Sequence, residues 1–245
     1  MNYHTKPSQP KTVGKNVPVV ALLVMGRVFV LRSVRVFYEK IGDMKFISHL
    51  DVNRFMIRMI KISKIPVWYS EGFNPHPYIT FALPLSLGFE STYEIMDIRL
   101  DNDDFSNESV FKALNSVMPE NIKILKVCDP LMKVGEITAA EFIVTFEGCG
   151  EKLGKQFTSF LDHNDEILIE KKSKKGKINT IDISSMIYFF DFKENKLILK
   201  LAAGGKDNLN PKLLLEAFER KKGIALPNYS IKRVMIYSNN DKIFV

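Results

Sequence analysis

Two short segments carry most of the residues able to do chemistry. His49 lies in Ser48-His49-Leu50-Asp51, and His76 lies in Ser70-Glu71-Gly72-Phe73-Asn74-Pro75-His76-Pro77. Imidazole titrates near neutrality, so either ring is able to serve as a general acid or base. With Glu71 beside them, His49 and His76 are the candidate catalytic groups. The same set is able to hold a metal ion, a phosphate or a base edge. The plainer reading of Ser48 and Asp51 is capping: a Ser with an acid three residues on satisfies the free amides of a helix start. That start also offers His49 and its amides to an anion. The second segment is a rigid turn, with Gly72 free to take a positive φ and Asn74 and the prolines setting the bend. A turn needs neither a histidine nor an acid, so Ser70, Glu71, Gly72, Phe73, Asn74 and His76 are read as a ligand-binding loop.

A second group of residues suits nucleic acid. Arg54, Arg58 and Lys61 repeat at helical spacing, and Lys171, Lys172, Lys174, Lys175 and Lys177 crowd one turn. Both are ordinary solvated surfaces unless phosphate meets them. Trp68, Tyr69, Phe73, Tyr78 and Phe81 are mostly expected in the core, with Phe73 and Tyr78 placed to stack on a base.

The net charge of the 245 residues is +7. Six cations and no acid fall in residues 1–35, which leaves 29 basic against 28 acidic residues in the rest. An anionic partner must therefore be met by local clusters. Cys128 and Cys149 stand alone and the four histidines are scattered. No zinc site, iron–sulfur cluster or other cofactor is expected, and a reducing cytoplasmic setting fits. The apolar run Val17–Met25 is too short to span a bilayer, so no membrane is expected. Residues 1–27 are expected to be a disordered or extended tail. No Walker loop, dinucleotide fingerprint or nucleophile elbow is present.

The elements that must position these residues read as two similar halves. In residues 28–132, a strand over Val28–Tyr38 leads through a loop to a helix over Ser48–Ser63. Its buried stripe is read as Val52, Phe55, Met59 and Ile62. Strands follow at Val67–Tyr69, Tyr78–Leu83 and Tyr93–Leu100, then a helix over Ser106–Met118 and a strand at Ile122–Val127. In residues 133–245, strands at Ile137–Glu147, Ile167–Lys171, Ile178–Ile183, Met186–Phe192, Leu197–Ala202 and Tyr229–Tyr237 surround two helices. One runs over Gly150–Leu161; the other runs from Asn210 to Lys221, with Pro211 first. This predicts an α+β protein of tandem ferredoxin-like (split βαβ) halves with extra strands. In such a unit the loop after the second strand comes near the first helix, so His49 and His76 are expected to share a cleft.

Glu39 to Asp51 resembles the opening signature of a bacterial family, the radical-SAM-associated domain also known as DUF2344. Tyr69 to Pro77, followed by Phe81-Ala82-Leu83-Pro84-Leu85 and Gly88, resembles its second signature, and Lys171 to Asp182 a weaker third. Tyr78 stands where members usually have lysine, and Ser184 where arginine often follows Asp-Ile; both lower the local positive charge. The resemblance implies a stand-alone accessory chain acting in trans with a radical SAM enzyme of the corrinoid-binding type. This chain lacks the cysteines for that chemistry itself. The leading expectation is a non-catalytic module that recognises RNA or an RNA-containing substrate. The alternatives are a metal-independent RNase using His49 or His76, and a protein-docking scaffold.

Overall fold

The computed structural model describes residues 20–24, 27–102, 104–148, 150–162, 166–172 and 178–245. The chain divides into two compact units. Of the described residues, the first takes in those up to Glu39, Ser48–Pro84 and Glu94–Leu131; the second takes in Lys40–Ile47, Leu85–Tyr93 and those from Met132 to Val245.

In the first unit the strands are β1 (Val20–Val24), β2 (Arg27–Lys40), β3 (Ile79–Phe81), the Glu94–Leu100 part of β4 (Glu90–Leu100) and β5 (Ile122–Cys128). β2 pairs with β4, β3 joins β4, and β5 and β1 join β2. The late part of β4 alternates: Met96, Ile98 and Leu100 are buried, while Asp97 and Arg99 point to the other face. Helix α1 (His49–Ile62) buries Val52, Met56 and Ile60. The expected stripe is thus turned: Phe55 and Met59 are half-buried and Ile62 is exposed. The apolar arc of this helix is wider than one stripe, so spacing alone leaves its rotation open. Helix α2 (Asn107–Asn115) is shorter than expected and buries only Val110 and Leu114 fully. Val67–Tyr69 forms isolated bridges rather than a strand. Val20–Val24, expected as an extended lead-in, is a strand that pairs antiparallel with Arg27–Leu31.

In the second unit β6 (Ile137–Phe146) lies between β11 (Tyr229–Ser238) and β10 (Lys196–Ala202), with β9 (Ile187–Lys193) beyond β10. These four pair antiparallel, and β11 also meets Glu90 and Ser91 of β4 in parallel. A separate hairpin joins β7 (Leu168–Lys172) to β8 (Ile178–Asp182). Helices α3 (Glu151–Leu161) and α4 (Pro211–Lys222) cover the apolar face. The core there is aromatic: Phe157 stacks on Phe218 with ring centres 3.8 Å apart, and both Phe146 and Phe192 pack on Phe157. Each such pair adds about 0.5–1.5 kcal/mol beyond simple burial. The helix ends follow from their residues. Asn210 accepts from the Lys212 amide, Pro211 takes the first helical position, and Gly223 closes α4 in the left-handed conformation.

Candidate functional site

The two motif segments both belong to the first unit, and each is organised locally. Ser48 caps α1: its Oγ accepts from the Asp51 amide at 3.2 Å, and its hydroxyl donates to Asp51 Oδ2 at 2.7 Å. Arg54 donates to Asp51 Oδ1 at 3.1 Å. The Ser48 hydroxyl foremost, with Arg54, holds the Asp51 carboxyl below its ordinary value. A carboxylate therefore already sits at the positive end of α1, and an external anion would compete with it. His49 packs edge-on against Phe81, with ring centres 5.0 Å apart.

The second segment is the tip of a hairpin. Trp68 and Tyr78 face each other across it, with the Tyr78 amide donating to the Trp68 carbonyl and the Ser70 amide to the His76 carbonyl. Its tip, Glu71 to His76, is exposed throughout. Gly72 has φ +132° with nothing within 4 Å of an added Cβ, so conformation rather than space demands glycine there. His76 Nδ1 lies 3.0 Å from Ser70 Oγ and 3.2 Å from the Asn74 carbonyl oxygen. The Ser70 hydroxyl can donate to Nδ1 or accept from it, whereas the Asn74 carbonyl only accepts; Nε2 has no partner among the described residues. Glu71 makes no hydrogen bond or ion pair among the described residues.

His49 and His76 are not brought into contact. No hydrogen bond or ion pair joins Ser48, His49 or Asp51 to Ser70, Glu71 or His76 among the described residues. His49 is held by Phe81, and His76 by Ser70 and the Asn74 carbonyl, so each imidazole is positioned by its own neighbours.

The hairpin instead gathers aromatics and cations. Arg99 lies over the Tyr78 ring at 4.3 Å and the Trp68 ring at 5.6 Å, and those two rings meet edge-on at 5.5 Å. On the other side of the hairpin, Lys61 of α1 lies over the Tyr69 ring at 5.9 Å. Tyr69 and Tyr78 are about two-fifths exposed, and Phe73 at the tip is wholly exposed. Arg58 is exposed on α1 between Arg54 and Lys61. Sequence reading passed over Arg99. Its signal was the Asp97, Arg99 alternation inside an otherwise apolar strand. Asp97 pairs with the buried Arg35, whose Nε donates at 2.8 Å. Lys171 and Lys172 close β7; Lys174, Lys175 and Lys177 lie outside the described residues. No cluster of three His, Cys, Asp or Glu is placed to hold a metal among the described residues.

The model of one family, described as an uncharacterized protein conserved in bacteria (DUF2344), matches residues 33–211. The chain belongs to the DUF2344 family. The DUF2344 match takes in α1, the hairpin and Arg99, and ends at the first residue of α4. No functionally curated protein matches the sequence. A solved structure of a Cbf5-Nop10-Gar1 complex aligns with a TM-score of 0.42 at 10% identity, over 83% of this chain. This chain spans about half (48%) of the chain it aligns with there. No helix among the described residues is long and apolar enough to cross a membrane.

Proposed function

We propose that this DUF2344 protein is a recognition module that binds RNA on behalf of a radical SAM enzyme of the corrinoid-binding type, acting in trans. The reading places single-stranded RNA on the hairpin of the first unit. The observation that carries it is the exposed cation–aromatic surface there: Arg99 on Tyr78 and Trp68, Lys61 on Tyr69, and the bare Phe73 ring. Bases stack on aromatic faces whatever their identity, and nearby cations meet the backbone between them. A strand passing over the tip meets Tyr69 and the cations of α1 on one side, and Tyr78 with Arg99 on the other. Ser70, Asn74 and His76 hold the tip, and Nε2 of His76 is left to hydrogen-bond a base edge or sugar hydroxyl.

The same reading treats residues 28–132 and 133–245 as tandem ferredoxin-like halves. The pairing orders β5-β2-β4-β3 and β11-β6-β10-β9 support it, since each puts the first and third of its four paired strands, in chain order, in the centre, with the β7–β8 hairpin outside the sheet. The link to a radical SAM enzyme rests on the resemblance of the two motif segments alone.

The test is binding of the purified chain to bulk cellular RNA across a salt series. Log affinity is expected to fall linearly with log salt, by about 0.7 per backbone phosphate contacted. Arg58→Glu with Lys61→Glu should flatten that slope by about 1.4, two phosphates' worth. Phe73→Ala should weaken binding roughly 5- to 100-fold with the slope unchanged, as expected for one lost stack. A flat response, or no binding at low salt, removes the reading. Co-purification with the partner enzyme free of RNA would favour a docking scaffold in its place.

A further inference from the structure

The groove on the α4 side of α3 has a chemistry that the hairpin does not use. It encloses about 440 Å³ and is lined by Glu151, Lys152, Lys155, Gln156, Ser159 and Lys222. Three cations thus face one carboxylate. Lys152 and Lys222 have no ion-pair partner among the described residues, and Lys155 reaches Glu151 only at 3.9 Å, across well-exposed side chains. Where α3 meets α4 is fixed by the Phe157–Phe218 stack, and Lys222 follows Phe218 by four residues, on the same side of α4. Lys222 itself is half-buried.

The helix ends account for only part of this charge. Arg220, Lys221 and Lys222 in the last turn of α4 complement its negative end. Lys152 in the first turn of α3 does the reverse, standing at a positive end whose N-cap, Gly150, has no capping side chain. Glu151 in the same turn already supplies a carboxylate at that end, and Lys152 adds a cation where the helix itself calls for none. The two sides of α3 differ in charge. Lys152 and Lys222 line only the α4 side, whereas the neighbouring groove toward β9 shares Glu151, Lys155 and Ser159 with it and adds Asp162 and Glu194 beside Phe192. From Lys152 to Ser159 the polar lining runs about 10 Å along α3, long enough for an extended anion, with its two cations, Lys152 and Lys155, at the N-terminal end.

We propose that the α3–α4 groove of the second unit is a phosphate-chain site that holds the RNA backbone, with Lys152, Lys155 and Lys222 as the contacts and Gln156 and Ser159 as neutral donors. It rests on the recognition reading, and gives it a second backbone anchor independent of the hairpin. The test uses the full chain, fluorescein-labelled oligo(U) followed by anisotropy over a salt series, and inorganic tripolyphosphate followed by the thermal unfolding midpoint. Lys152→Glu with Lys222→Glu should weaken oligo(U) binding about tenfold at low salt and lower the salt slope by about 1.4. The midpoint rise given by tripolyphosphate should be lost in the same variant, and Lys152→Gln with Lys222→Gln should show half the effect or more. If wild type binds oligo(U) and both variants match it in affinity and slope, the groove is overturned and the hairpin reading stands. If wild type binds no oligo(U), the recognition reading falls. Tripolyphosphate then decides the groove: stabilisation lost in the variants keeps it as a phosphate-chain site, and equal or absent stabilisation overturns it.

Discussion

Phe73, Arg99 and His76 show how differently single residues declare themselves. Phe73 stood out in the sequence because an aromatic between Gly72 and Asn74, in a turn, has no strand to bury it. Its full exposure follows from that. Arg99 was not legible, because its value comes from Trp68 and Tyr78, which reach it through pairing some twenty to thirty residues away in sequence. The proximity of His49 and His76 also depended on register. A pleat reverses its face at every residue, so a correct list of residues still leaves open which of them meet. In the second unit, Tyr237 makes a testable case of its own. Its hydroxyl donates to Glu141 Oε2 at 2.7 Å, and Lys200 covers its ring at 3.9 Å while pairing with Asp241. Burial foremost, then the Glu141 carboxylate, pushes the phenol from its ordinary 10.0 up to about 12. A group whose folded value is raised contributes stability that is complete below the unfolded value and lost as pH rises through the folded one. Stability should therefore decline between about pH 10 and pH 12. Tyr237→Phe should cost about 1–2 kcal/mol in urea unfolding at neutral pH and make that alkaline decline shallower. An unchanged alkaline slope would detach Tyr237 from it.

At the scale of elements, the helices were the most legible. Ser48 and Asn210 announce the starts of α1 and α4, Pro211 and Gly223 fix the ends of α4, and these signals are local. Rotation of α1 was not legible, because Phe55, Met56, Met59 and Ile60 give apolar residues on adjoining faces. Nor was the strand at Val20–Val24, whose apolar run has the length of a strand but no alternation to name its partner. Helix α3 carries a constraint that the sequence hides. Gly154 has no unusual φ; it is required because an added Cβ would lie 2.6 Å from Cδ1 of Phe192. Ala is the better helix former by up to about 1 kcal/mol, so propensity alone predicts that Gly154→Ala stabilises. The ring stacks on both Phe146 and Phe157, so withdrawing toward the neighbouring groove would give up those contacts. Overpacking should win, with a net loss of about 1–3 kcal/mol read from the denaturant midpoint. A gain in stability would mean that the aromatic core of the second unit yields more easily than its stacking implies.

For the whole chain, the overall charge is a poor guide to partners. The excess of +7 is concentrated in residues 1–35, and the remaining residues are nearly balanced. What matters is where cations have no ion pair among the described residues: Arg58 and Lys61 on α1, Arg99 against two rings, and Lys152 and Lys222 beside α3. Membership of DUF2344 names the company the chain keeps and leaves its chemistry to these surfaces. The account turns on RNA lying on the hairpin of the first unit. Ultraviolet crosslinking of the full chain to labelled oligo(U), with the attached residues located by mass spectrometry, tests that contact directly. Crosslinks are expected on the segment from Trp68 to Tyr78, with Phe73 foremost, and should disappear from it when excess unlabelled RNA is added. Crosslinks confined to other parts of the chain, or none above the level given by a non-binding protein, would contradict it.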